Sequence, residues 1–199
     1  MYIALEGIDL VGKTTQIELL KSRFLNAVFT REPGGTSFGT QIREILLNGD
    51  KKLADMTEFL LFLADRSEHY EKVIKPALNW SKLIISDRSV FSGIAYGLES
   101  AKISRDFIIN SNLAVIENKF PDLVVVFEIS RADLLDRLKA RSPDKIEQRG
   151  IEYALSIQKR LISLPREFGV NMLIIDASSK ENDIFRKIER AIIDRKIGV

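Results

Sequence analysis

Short aliphatic and β-branched runs alternate along this chain with longer stretches whose apolar residues recur at helical spacing. The runs Tyr2–Glu6, Ala27–Thr30, Leu83–Ser86, Leu123–Ile129 and Met172–Ile175 predict five strands. Helical periodicity predicts helices near 14–24, 37–48, 55–75, 105–119, 131–141, 150–164 and 180–195. Pro76 is expected to end or bend the third of these, and Pro143 to stop the helix that begins near Arg131. Strands that alternate with helices and read as near-continuous apolar runs predict an α/β fold, a five-stranded parallel sheet covered on both faces. Right-handed crossovers then leave the ligand crevice beyond the strands' carboxyl ends, so the loops at 7–14, 31–36 and 87–93 are the informative ones.

The first of those loops carries chemistry. Gly7-Ile8-Asp9-Leu10-Val11-Gly12-Lys13-Thr14 has the G-x-x-x-x-G-K-[ST] spacing of a phosphate-binding P-loop, between an apolar strand and a helical stretch. The glycines let backbone N–H groups curl around a polyphosphate, and the following helix adds its positive N-terminal end. Lys13 reaches the outer phosphates, and Thr14 is placed to meet a phosphate-bound magnesium. This sharpens the fold class to a three-layer P-loop NTPase.

Composition narrows the partners. The 199 residues carry a net charge of +2 from 30 basic and 28 acidic side chains, which argues for a small, locally bound anion rather than nucleic acid. Without cysteine there is no disulfide, thiolate metal site or thiol nucleophile. No signal segment and no apolar run near the roughly 20 residues of a membrane span is evident, so a cytoplasmic, membrane-free chain is expected. Length and the absence of repeats and linkers predict one domain over 1–199, or one domain with a small appended lid.

The second strand leads into Thr30-Arg31-Glu32-Pro33-Gly34-Gly35-Thr36, followed by Arg43. By itself this reads equally as a Pro-Gly turn with a solvated ion pair. The third strand ends in Ser86-Asp87-Arg88-Ser89, where the acid suits hydrated magnesium and the arginine a second phosphate. Phe62 and Arg66 lie four apart on one helix face, able to grip a flat heterocycle by stacking and hydrogen bonds. The plainer reading makes Phe62 core and pairs Arg66 with Asp65 or Glu68.

Together the segments EGIDLVGKTT, TREPGGTSFGTQIREILL, LLFLADRSEH, SDRSVFSGIAY and DKIEQRG resemble the thymidylate kinase family across nearly the whole chain. The resemblance implies phosphorylation of dTMP to dTDP by ATP and Mg²⁺, in dTTP biosynthesis, by a homodimer. It places ATP on Gly7, Ile8, Asp9, Leu10, Val11, Gly12, Lys13, Thr14 and Thr15. It places dTMP on Asp9, Glu32, Arg43, Phe62, Arg66, Arg88, Ser92 and Tyr96. Phe62 would stack on thymine, Arg66 would bond its O4, and Tyr96 would sit beside the 2′ carbon. Asp9 would meet the 3′-hydroxyl, and Thr14 and Asp87 would hold the hydrated metal.

The resemblance implies an arginine for the transferring phosphate either inside the P-loop or on a lid, here at about 137–150. Leu10 follows Asp9 in the P-loop, so the lid is expected to supply it, Arg141 first and Arg137 or Lys145 second. The catalytic set that the resemblance implies is Lys13, Asp9, Arg88, Arg141 and Arg137. A phosphate acceptor is already anionic, so positioning and charge neutralisation suffice, and His69 has no catalytic role. Ser89, Gly97 and Lys145 depart from the family pattern, and Gly97 removes a side chain that would contact the base edge.

Two rivals remain. A deoxynucleoside kinase would use Asp87-Arg88-Ser89 but expects a tryptophan soon after Glu32-Pro33 and gives Arg43 no anion. A GTPase switch would need Asn-Lys-x-Asp, and Asn118-Lys119-Phe120-Pro121 ends in proline.

Overall fold

The computed structural model describes residues 1–48, 53–100, 102–139 and 150–197. Among the described residues there are five strands: β1 (Tyr2–Glu6), β2 (Val28–Arg31), β3 (Ile84–Asp87), β4 (Leu123–Glu128) and β5 (Met172–Asp176). They form one parallel sheet in the order β2-β3-β1-β4-β5. Every residue of β1 is buried, as are the first five of β4, because helices cover both faces of the central strands. The edge strands β2 and β5 are only partly covered.

Register decides where the loops meet. Leu5 and Arg31 both lie opposite Asp87, so the carboxyl ends of β1, β2 and β3 are level. The segments that follow these three strands therefore emerge side by side at one edge, where an open parallel sheet receives its ligands.

The helices are α1 (Lys13–Arg23), α2 (Ser37–Arg43), α3 (Asp55–His69), α4 (Lys75–Asn79), α5 (Val90–Ser100), α6 (Arg105–Val115), α7 (Arg131–Leu138), α8 (Ile151–Glu167) and α9 (Glu181–Ile197). Pro76 does not stop the third helical stretch. A wide π-type turn at Tyr70–Ile74 precedes it, and the proline falls in the first turn of α4, where its missing N–H is tolerated. Likewise α8 runs through Pro165 to Glu167, beyond the expected end near 164. Pro143 lies outside the described residues.

One element departs from the sequence reading altogether. The segment expected as a loop at 87–93 contains the first turn of α5. Ser92 and Gly93 lower intrinsic helix propensity, but Val90, Phe91, Ile94 and Ala95 are buried, and α5 packs against α3, α6 and α8. Tertiary burial overrides the local preference. Among the described residues no helix is long and apolar enough to cross a membrane.

Candidate active site

The P-loop leaves β1 through two left-handed positions, Leu10 (φ 69°) and Gly12 (φ 91°). At Gly7 a Cβ would stand 2.9 Å from Val11 Cγ2 and 3.2 Å from the Phe127 carbonyl oxygen, so this close approach needs glycine. Lys13 opens α1 and donates Nζ to the carbonyls of Gly7 (2.9 Å) and Ile8 (2.8 Å). Burial lowers its pKa to about 8. Thr14 and Thr15 are exposed on the first turn of α1, and Ile8 and Val11 anchor the loop in the core.

Asp87 ends β3 with a buried Oδ1 that has no hydrogen-bond partner among the described residues. An unpaired carboxylate oxygen at the ligand edge, in register with the strand that leads into the P-loop, fits a hydrated hard cation.

Arg88 adopts φ 71° and turns back over the P-loop. It donates to the Gly7 carbonyl (2.9 Å), Ser92 Oγ (3.2 Å) and Asp9 Oδ1 (2.7 Å), and its guanidinium carbon lies 5.5 Å from the Tyr96 ring centroid. Arg43 donates to the Pro33 carbonyl at 3.0 Å. Burial, then the neighbouring charges of Arg31 and Arg88, push the Arg43 pKa down. Several cations that disfavour one another form a ready seat for an anion.

Beside this seat opens a cleft lined by Asp9, Glu32, Arg43, Phe62, Arg66, Arg88, Ser92, Gly93, Tyr96 and Gly97, among others. The structure thus brings together every residue predicted for the second substrate. Phe62 is half-buried and lines the cleft. It is not among the described residues of the hydrophobic core.

Arg66 is buried and held on three sides. Its Nε and Nη2 reach Glu32 Oε2 at 2.9 and 2.8 Å, Nη1 reaches Asn112 Oδ1 at 2.6 Å, and Nη2 reaches the Ser89 carbonyl at 3.3 Å. The expected pairing with Asp65 or Glu68 is replaced by Glu32. Glu32 Oε1 meets His69 Nδ1 at 2.9 Å, and His69 Nε2 meets Thr30 Oγ1 at 2.6 Å. Burial would raise the Glu32 carboxyl, but Arg66 and His69 outweigh it, and the net shift is downward. Asp65 accepts the Gly34 N–H at 2.9 Å, and burial raises its pKa to about 6.

Sequence reasoning missed three contributors. Glu6 is fully buried and accepts from Ser89 Oγ (2.7 Å), Ser92 Oγ (2.6 Å) and the Ser92 N–H (3.3 Å), which pins the start of α5. Burial raises its pKa. The only local signal was an acid closing an apolar run. His69 bridges Glu32 to Thr30, and Asn112 comes from α6, with no signal in its own neighbourhood. The Ser92 hydroxyl proton is committed to Glu6, so towards Arg88 this oxygen acts as acceptor.

Gly97 is explained by packing. A Cβ there would meet Ile108 Cγ2 at 3.1 Å and the Phe59 ring at 3.4 Å. Arg137 Nη1 donates to the Leu10 carbonyl (2.7 Å) and Nη2 to the Ala177 carbonyl (2.6 Å), which ties α7 to the P-loop and the turn after β5. Arg141, Lys145 and most of the expected lid lie outside the described residues.

Known proteins share this fold. A family model described as thymidylate kinase matches residues 5–188. The chain is 46% identical to a thymidylate kinase of Campylobacter concisus, over 96% of this chain and 98% of that one. It is also 46% identical to a thymidylate kinase of Wolinella succinogenes, over 94% and 96%. The crystal structure of thymidylate kinase from Ehrlichia chaffeensis superposes with a TM-score of 0.77 at 28% identity, covering 96% of this chain and 97% of that chain. With its five-stranded parallel sheet, its P-loop and a cleft that couples a cationic seat to an aromatic–guanidinium pair, this chain belongs to the thymidylate kinase family.

Proposed function

We infer that the phosphorylation of dTMP to dTDP, which family membership gives this chain, uses Mg-bound ATP and runs on the residues just described. One observation carries the assignment of roles: a single cleft joins Asp9 and Arg88, beside the P-loop, to Phe62 and Arg66. A polyphosphate on Gly7–Thr15 and a monophosphate on Arg43 and Arg88 would then meet at the carboxyl edge of the sheet. Phe62 stacks on the base, the remaining N–H of Arg66 Nη1 bonds its O4, Tyr96 crowds the 2′ carbon, and Asp9 meets the 3′-hydroxyl. Glu32 acts at this site by holding Arg66.

Thr14 and the unpaired oxygen of Asp87 would hold the hydrated magnesium, which neutralises phosphate charge when bound. Lys13 turns from the Gly7 and Ile8 carbonyls to the outer phosphates and holds them in line. The acceptor phosphate is anionic without help, so the protein supplies position and positive charge rather than a base. Arg141, on a lid at about 137–150 of this one domain, closes the cationic ring and excludes water. Arg137, at the start of that segment, has both Nη groups on backbone carbonyls and ties α7 to the P-loop.

The same reading makes the enzyme a cytoplasmic homodimer. Met56 and Leu60, four apart on α3, and Phe107 on α6 are exposed apolar side chains on two helices that pack together, which supports a covered face there. A coupled ADP-release assay with Mg-ATP, comparing dTMP, dUMP, dCMP, dGMP and thymidine as acceptors, tests the assignment. Strong preference for dTMP upholds it. Preference for thymidine transfers the site to a deoxynucleoside kinase, and equal use of all monophosphates removes the thymine pocket.

A further inference from the structure

The Arg66 guanidinium is held in an unusual way. Its Nε and Nη2 both reach one oxygen, Glu32 Oε2, rather than spanning the two oxygens of the carboxylate, because Oε1 is taken by His69. Two donors on one acceptor act as a pivot, whereas a parallel fork would fix the plane. Glu32 neutralises Arg66 but leaves it a rotation about Oε2.

Two contacts oppose that rotation. The Ser89 carbonyl takes Nη2 at 3.3 Å, a long bond. The Asn112 amide takes Nη1 at 2.6 Å, a short one, from a fully buried side chain. The orientation of that amide is itself determined. Its Nδ2 donates to the Ile108 carbonyl at 2.8 Å, one turn back on α6, so its oxygen has to face Arg66. Above the guanidinium lies Gly93, where any Cβ would collide with Nη1, Nη2 and the central carbon. Of the five N–H groups, these described contacts use four, and one on Nη1 remains for the cleft that Arg66 lines.

We propose that Asn112 is a specificity-determining positioning residue: by fixing the rotation of Arg66 it aims a single N–H donor at the exocyclic 4-position of the substrate pyrimidine. A donor so aimed accepts a base with a carbonyl there and rejects one with an amino group, which presents N–H against N–H. If the guanidinium were free to pivot, it would offer two N–H groups over a range of directions, and the discrimination would fall. The inference rests on the reading that Arg66 faces the base.

The test compares kcat and KM for dTMP and dCMP, with ATP saturating, in Asn112→Ser, Asn112→Asp and Arg66→Lys. The serine hydroxyl can bond back to the Ile108 carbonyl one turn earlier but is too short to reach Arg66, so the helix stays satisfied while the restraint is lost. Asn112→Asp keeps an acceptor oxygen for Nη1, and protonated on its other oxygen it also donates to the Ile108 carbonyl. The expected result is a drop of roughly tenfold in the dTMP-over-dCMP ratio of kcat/KM for Asn112→Ser, the scale of one charge-assisted hydrogen bond. It should arise mainly from KM for dTMP, with KM for ATP unchanged, and Asn112→Asp should retain the ratio. Should the serine variant not fold, Asn112→Thr makes the same back-bond, fills more of the volume and carries the same expectation. Equal loss in the Ser and Asp variants, or an unchanged ratio in Asn112→Ser while Arg66→Lys collapses it, overturns the role of Asn112. An unchanged ratio in Arg66→Lys removes Arg66 from the base itself, and the inference falls with that reading.

Discussion

Replacing Glu32 by glutamine isolates the charge at the centre of the buried network. Glu32 is 6% exposed and Arg66 3%, and their closest approach is 2.8 Å. The glutamine side chain would keep nearly the same volume and an oxygen for Arg66, but would leave the guanidinium without a counter-charge in the protein interior. Breaking a buried pair from one side costs about 3–5 kcal/mol, and the retained hydrogen bond places this variant near the lower end, at about 3 kcal/mol. For a chain of this size each kcal/mol moves the melting temperature by about 2–4 °C, so Tm should fall by about 6–12 °C. Differential scanning calorimetry at pH 7 measures this directly. Adding Arg66→Met removes the orphaned charge, so Glu32→Gln/Arg66→Met should be more stable than the sum of the two single changes predicts. The Glu32 pKa is depressed in the folded protein, so its stabilisation is present above about pH 4.5 and is lost as pH falls through the folded value. The difference between wild type and Glu32→Gln should shrink accordingly in acid. A Tm within about 2 °C of wild type at pH 7, or strict additivity in the double variant, would refute the account of Glu32 as the counter-charge.

Gly93→Ala forces a methyl group onto the pinned Arg66 guanidinium and should raise KM for dTMP about tenfold or more, with KM for ATP little changed, as steady-state kinetics would read. Arg141→Ala should lower kcat by orders of magnitude with little change in dTMP affinity, and wild-type-like turnover would remove Arg141 from the reaction. Asp65 has the opposite pH sign to Glu32. Its pKa rises from about 3.9 unfolded to about 6 folded, so its contribution to stability declines as pH rises through that window. Asp65→Asn should flatten the pH dependence of Tm between about pH 4 and 6, and an unchanged slope would show that Asp65 does not titrate there.

Local features of this chain are written in the order of its residues. The five strands, the P-loop between β1 and α1, and the loops expected at the ligand edge follow from periodicity and spacing within about a dozen residues. The residues of the cleft were legible too, but through resemblance, since in Phe62 or Arg43 alone nothing separates a ligand contact from an ordinary surface or core position. Tertiary packing settled the pairings between residues far apart in the chain. Arg66 finds Glu32 34 positions away and Asn112 46 positions away, and Glu6 accepts from Ser89 across 83. Such contacts leave no periodic trace in a single sequence, because a buried polar group is satisfied by whichever donor or acceptor the packing delivers. The helix α5 is the same lesson at the level of an element: Ser92 and Gly93 read locally as a loop, while burial of Phe91 and Ile94 made it a helix. Local propensity is worth tenths of a kcal/mol per residue and burial of one large apolar side chain about 1.5–3 kcal/mol, so where the two disagree the packing prevails.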